Sequence, residues 1–183
     1  MGLARAAGGS PPLVVGTVDS PGRARDGEGA EGVALALVDG APLREQVLAL
    51  APYRHQQRWS GVPVDTLPAA ERDPAQRPVA ILLDGRPVGF LVLHGGKGAG
   101  RFVAPRHELL IRALLVDAAF QGRGIGSRAL AQLPRFVHRL DSTITRLVLT
   151  VNVENERARR VYARAGFRDT GARFRRPGMG LQL

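Results

Sequence analysis

The stretch whose reading decides the fold is QGRGIGSRAL, residues 121–130, which follows the apolar run LLIRALLVDAAF of residues 109–120. Gly122, Gly124 and Gly126 stand at every second position, Arg123 and Arg128 lie among them, and a helix-like sequence runs on. A strand, a bare glycine turn and a helix start are the parts of a phosphate cradle. The first N–H groups of a helix have no partner inside it, and the aligned peptide dipoles place roughly half a positive charge there. Tight packing of strand against helix would also favour small residues, so the loop alone leaves both readings open. Two familiar loops are excluded. GxxxxGK[ST] needs a lysine, and the only one in the chain is Lys97. GxGxxG needs a different glycine spacing and an acidic strand end about 20 residues on.

A chain of 183 residues, 44% hydrophobic, has the size of one domain with a tail and can bury a core. There is no cysteine, hence no disulfide, no thiolate nucleophile and no thiolate-held zinc. His55, His94, His107 and His138 are scattered, and no metal is expected. No apolar run approaches the ~20 residues that span a bilayer. The N-terminal MGLARAAGGSPPLVV lacks the core of a signal peptide, so a cytoplasmic location and no membrane partner are expected. The net charge of +10 is carried by arginine and is uneven. From Arg101 onward there are 16 arginines against 6 acids, so the first hundred residues are neutral. The excess lies in the half that holds the glycine loop. Nucleic acid is a weak candidate partner, because only 5% of residues are aromatic and they do not interleave with the arginines.

Residues 1–31, rich in Gly, Pro, Ala and Arg with only LVVG as an apolar island, read as a disordered leader, and residues 32–183 as a single domain. GVALALVDG reads as a strand and APLREQVLALAPY as a helix opened by Pro42. RHQQRWSG suggests a second short helix, and the prolines between Val62 and Pro78 suggest a loop. RPVAILLDGRPVGFLVLHGG is a β-hairpin, with Asp84-Gly85 as the pair that accepts positive φ in a tight turn. HELLIRALLVD reads as a buried strand, SRALAQLPRFVHRL as a helix that Pro134 should kink or shorten, and TRLVLTVNV as a strand. ENERARRVYARAGF places Ala158, Val161, Tyr162 and Ala165 on one helical stripe, with Asn155 as N-cap and Gly166 as the stop. FRDTGARFRR and MGLQL read as two last short strands. The expected class is α+β, or mixed α/β: one central, mostly antiparallel sheet of six to seven strands flanked by about four helices.

Two segments in this order, about 30 residues apart, carry a resemblance. The loop Gln121-Gly122-Arg123-Gly124-Ile125-Gly126 fits Q/R-x-x-G-x-G/A, and Asn155 to Phe167 fits N-x-x-[AS]-x-x-[LVF]-Y-x-x-x-G-F. Together they resemble the GNAT superfamily of acyl-CoA-dependent N-acetyltransferases. The resemblance covers roughly Val33 to Leu183 and is strongest from Leu109 to Phe167. QQRW and LLVDAAFQGRGIG are similar to small-molecule acetyltransferases of the polyamine type.

The resemblance implies acetyl-CoA as co-substrate, with its pantetheine arm pairing with the strand at Leu114, Leu115 and Val116. The pyrophosphate would lie on the loop and helix start, from Gln121, Gly122, Arg123 and Gly124 to Ile125, Gly126 and Ser127. Asn155 would contact the cofactor arm, and Tyr162 would protonate the CoA thiolate. Periodicity alone would make Asn155 a plain helix cap and Tyr162 a core aromatic. The general base is less defined. Thr150, central in LVLTVNV, cannot take a proton. Glu108 is the carboxylate candidate, because it shares the parity of Leu110, Arg112, Leu114 and Val116; a solvated strand-start acid is the alternative. His107 or a water relay stays open, and Arg112 would either line the acceptor pocket or pair with an acid. The expected acceptor is a small-molecule amine. A homodimer, a protein N-terminus or antibiotic amine as acceptor, and a non-catalytic CoA-binding or nucleic-acid-binding module remain alternatives.

Overall fold

A computed structural model of the chain describes residues 32–57, 59–103 and 106–174, together with the backbone of residues 13–19. In these residues seven strands form one sheet in the order β2-β3-β4-β5-β6-β1-β7. They are β1 (Leu13–Asp19), β2 (Val33–Leu37), β3 (Gln76–Leu83), β4 (Arg86–His94), β5 (Glu108–Val116), β6 (Arg146–Asn152) and β7 (Arg168–Phe174). Every neighbouring pair is antiparallel except β5 and β6. Four α-helices flank the sheet: α1 (Ala41–Leu48), α2 (Pro63–Glu71), α3 (Ile125–Leu140) and α4 (Glu156–Arg164). The expected class, strand number and helix number are all met.

The two faces have separate cores. On one, α3 buries Ile125, Ala129, Leu130, Leu133 and Val137 against Ile81, Leu91, Ile111, Leu147 and Leu149, and the α4 stripe Ala158, Val161, Tyr162 and Ala165 packs beside them. On the other, Val47 and Leu50 join Leu67 and Ala70 over Phe90, Val92, Ala113 and Leu115. The hairpin forms as read, with φ of 50° at Asp84 and 79° at Gly85.

Four expectations are corrected. The leader contains a strand: β1 runs in unbroken antiparallel register from Leu13 opposite Asn152 to Asp19 opposite Arg146. Its stability comes from pairing with distant strands on both sides, which a short island between glycines and prolines does not announce. The proline-rich stretch after Val62 is not all loop. Pro63 occupies the first turn of α2, where its fixed φ and missing N–H suit a helix start, and Pro63, Leu67 and Ala70 fall on one buried side. Pro134 does not shorten α3, which runs on to Leu140 with Pro134 buried. The second short helix is only a 3₁₀ turn at Arg54–Gln56, and MGLQL lies outside the described residues.

Candidate active site

The parallel pair creates the site. Pairing between β5 and β6 runs only from Glu108 opposite Arg146 to Ile111 opposite Leu149. Beyond that the strands part, leaving the facing backbones of Arg112 to Val116 and Thr150 to Asn152 without each other. A further irregularity re-aims β5. Phe90 faces Leu115 and Val92 faces Arg112, so Ala113 and Leu114 stand opposite one residue of β4, and Ala113 takes φ 51°. This is a bulge, and it reverses the side-chain parity of the strand's end. Leu109 and Ile111 face α3 and α4, and after the bulge so do Leu114 and Val116, whereas Ala113 and Leu115 face α1 and α2.

A cavity of about 760 Å³ occupies the parting. Leu114, Leu115, Val116, Gln121, Gly122 and Gly124 line it, together with Ile125, Gly126, Ser127, Asn155 and Tyr162. Of the residues expected in the site, Glu108 is elsewhere and Arg123 shares the loop but turns its side chain away. Glu108 starts β5, six residues and about 20 Å of strand from Leu114, and its carboxylate accepts a 2.8 Å bond from Arg146 Nη1. The bulge also means that Glu108 no longer shares a face with Leu114 and Val116. It is the acid of an ion pair at the closed end of the strand pair. Arg123 does not line the cavity; its guanidinium lies 5.7 Å from the ring centre of Phe120.

The loop is built to leave donors open. Gly122 and Gly124 have φ of 81° and 72°, in the left-handed region. A Cβ on either would meet no protein atom within 4 Å, so conformation requires the glycines while the space above them is vacant of side chains. Gly124 is the N-cap of α3 and supplies no side-chain cap, and no acid stands in the first turn. The N–H groups of Ile125, Gly126 and Ser127 therefore point outward at the positive end of a 16-residue helix. Gln121 has another role. Its amide forms a reciprocal pair with that of Gln56, at 2.7 and 2.9 Å, and also donates to Val116 O at 2.9 Å. It ties the loop to the segment between α1 and α2 that walls the cavity with His55, Gln56, Trp59 and Ser60.

Asp117 reinforces that tie. Its carboxylate accepts from the N–H groups of Ala51 and Ala119, both at 3.0 Å. Asp117→Ala is expected to lower unfolding free energy by about 2 kcal/mol, since both donors lose a charged acceptor. Urea denaturation with an unchanged midpoint would show the bonds to be ornamental.

Asn155 caps α4, its Oδ1 accepting from Ala158 N at 3.1 Å. Tyr162 lies on the half-buried stripe of α4 with its ring 6.0 Å from that of Phe167. Burial away from water pushes its hydroxyl up to about 12, from the ordinary value near 10. The group is a held proton at neutral pH, as a general acid must be. Arg112 does not line the cavity; it donates to His94 Nδ1 at 3.1 Å, and His94 Nε2 lies 3.5 Å from Asp73 Oδ2. Desolvation and the arginine charge hold His94 below its ordinary range, so it is neutral with the proton on Nε2. His107 sits with Thr143, its Nδ1 3.2 Å from Thr143 O, at the start of β5.

The sequence reading passed over His55, Trp59, Ser60, Asn152, Glu154 and the α4 arginines Arg157, Arg160 and Arg164, all of which line the cavity. For the arginines a signal existed: spacings of three and four place them on one flank of a helix. Residues 44–167 match the model of the acetyltransferase (GNAT) family. The chain belongs to the GNAT acetyltransferase family. An uncharacterised N-acetyltransferase of Bacillus subtilis strain 168, YbbJ, is 34% identical over 128 residues, covering 69% of this chain and 79% of that protein. The structure of the aminoglycoside acetyltransferase AAC(6')-Ib in complex with coenzyme A is similar at a TM-score of 0.58. It is 26% identical and is matched over 74% of this chain and 84% of the other. A tandem GNAT protein from the clavulanic acid biosynthesis pathway shares the fold at a TM-score of 0.59 and 14% identity, over 91% of this chain and 52% of its own. This GNAT protein is therefore an acetyl-CoA-dependent acetyltransferase. Among the described residues no helix is long and apolar enough to cross a membrane, and no group of acids and histidines could hold a metal ion.

Proposed function

We propose that the protein transfers the acetyl group of acetyl-CoA to the primary amine of a small molecule by direct attack, with Tyr162 protonating the departing thiolate. The observation that carries the reading is the cavity itself: one end reaches the uncapped start of α3, and Tyr162, with its proton held, stands in its wall. The diphosphate of CoA lies on the N–H groups of Ile125, Gly126 and Ser127, and the pantetheine amides pair with the strand edge left open at Leu114 to Val116. The α4 arginines add positive charge on the phosphate side. The amine nitrogen then bonds to the thioester carbon, the C–S bond breaks, the sulfur takes the Tyr162 proton, and the nitrogen loses one to a base. Of the carboxylates in the wall, Glu156 is engaged by Arg160 at 3.2 Å. Glu154, on the turn that follows β6, is assigned the proton from the amine, with His55 the other titratable candidate.

Supporting a small-molecule acceptor is the likeness to an aminoglycoside acetyltransferase; polyamines are the class suggested by sequence. The test is thiol release from acetyl-CoA across a panel of aminosugars, polyamines, simple alkylamines and peptide N-termini. Turnover with peptides alone, or with none, would sink the reading. Glu154→Gln is expected to lower kcat by about 10²-fold, with His55→Gln within threefold of wild type. The reverse order would move the base to His55.

A further inference from the structure

Two buried polar atoms on β6 have no hydrogen-bond partner among the described residues: Thr150 Oγ1 and Asn152 Nδ2. Their residues are 6% and 4% exposed, and both line the cavity. They are neighbours on one face. β6 pairs with β1 in unbroken register, so its side chains alternate. Leu147, Leu149 and Val151 face α3 and α4, while Val148 packs with Leu110, Ala99 and Val103 on the opposite side. Thr150 and Asn152 continue the side of Val148. The diphosphate end of the cavity lies with the start of α3 on one side of the sheet. Thr150 and Asn152 look to the other, where the segment between α1 and α2 closes the cavity.

The chemistry of the orphan amide is fixed. Asn152 Oδ1 accepts from the N–H of Glu154 at 2.7 Å, which leaves Nδ2 as a donor and nothing else. A buried donor without an acceptor is costly, and here the wall of a cavity retains one beside a hydroxyl. An ammonium or alkylammonium group, itself only a donor, cannot satisfy it. An oxygen can.

We infer that Asn152, with Thr150, selects acceptors that carry a hydroxyl or carbonyl oxygen close to the amino group, and disfavours polyamines. This rests on the transferase reading above. The donor-only amide is a specificity element, and Thr150, which can donate or accept, holds the same oxygen or its neighbour.

The experiment measures kcat/KM for ethanolamine and glucosamine against propylamine, cyclohexylamine and spermidine, in the wild type and in Asn152→Asp, whose shape is the same and whose donor is gone. The expected wild-type preference for the oxygen-bearing member of each pair is about tenfold or more, the worth of one hydrogen bond. In Asn152→Asp that ratio falls to near one, and KM for acetyl-CoA stays within twofold. A wild type that prefers spermidine or propylamine overturns the inference. So does a variant that loses rate on all amines equally, or whose acetyl-CoA KM rises, because either would assign the amide to the thioester oxygen. No thiol release with any amine would sink the transferase reading and this inference with it. If circular dichroism shows Asn152→Asp unfolded, Thr150→Val, which keeps shape and loses the hydroxyl, is measured for the same collapse in selectivity.

Discussion

Tyr162→Phe is expected to lower kcat by about 10²-fold or more while leaving the dissociation constant of CoA within twofold. The substitution removes one oxygen from the end of a ring whose packing against Phe167 and the α4 stripe is untouched. Desolvation is the cause of its raised pKa, so no ion pair is broken with it. What disappears is the proton available to the thiolate, and general acids of this kind contribute about 10²–10⁴-fold. Stopped-flow or steady-state thiol release gives kcat, and titration calorimetry gives CoA affinity. A parallel loss of both would assign Tyr162 to packing, and an unchanged kcat would remove it from the mechanism. The same group predicts a pH dependence of stability. Its folded pKa, about 12, lies above the unfolded value near 10, so the folded state holds the proton more tightly. That contribution is complete below pH 10 and is lost as pH rises from 10 to 12. The denaturation midpoint of the wild type should therefore fall relative to that of Tyr162→Phe across this interval, and parallel curves would contradict the burial.

The loop, the strand before it and the helix after it were legible in sequence because each rests on local chemistry. Left-handed glycines, an uncapped helix start and a 3.6-residue stripe depend on near neighbours. Asn155 and Gly166 mark the ends of α4 for the same reason, Gly166 taking φ 89°. What escaped was long-range. The bulge at Ala113 arises from how β5 meets β4 and leaves no trace in the letters LLIRALLVD, so strict alternation put Glu108 on the wrong face. β1 is held by β6 and β7, both more than a hundred residues away. Asn152 looked like one more strand residue. Its importance lies in the partner it lacks, and a missing partner is visible only once the surrounding atoms are placed.

Gly124→Val is expected to weaken CoA binding by about 10²-fold, with a modest loss of stability. Gly124 combines φ 72° with the N-cap position of α3, and its carbonyl accepts from Arg128 N at 3.1 Å. An L-residue in this conformation is strained by roughly 1–2 kcal/mol, and a β-branched one resists it more strongly. The loop is driven to relax, and the N–H groups of Ile125, Gly126 and Ser127 lose their common direction. Each bond from such a group to a charged phosphate contributes about 1.5–3 kcal/mol, so misaligning one of them accounts for the tenfold-to-hundredfold scale. Gly126→Ala separates conformation from occupancy. Gly126 has no left-handed φ, and a Cβ there would sit 3.6 Å from Val116 Cγ2, an ordinary contact. It should leave thermal stability unchanged. If it nonetheless weakens CoA, the methyl stands in the ligand's space and the diphosphate lies over the first turn of α3. If neither substitution changes CoA affinity, the anion is held somewhere other than this helix start, and the α4 arginines become its next candidates.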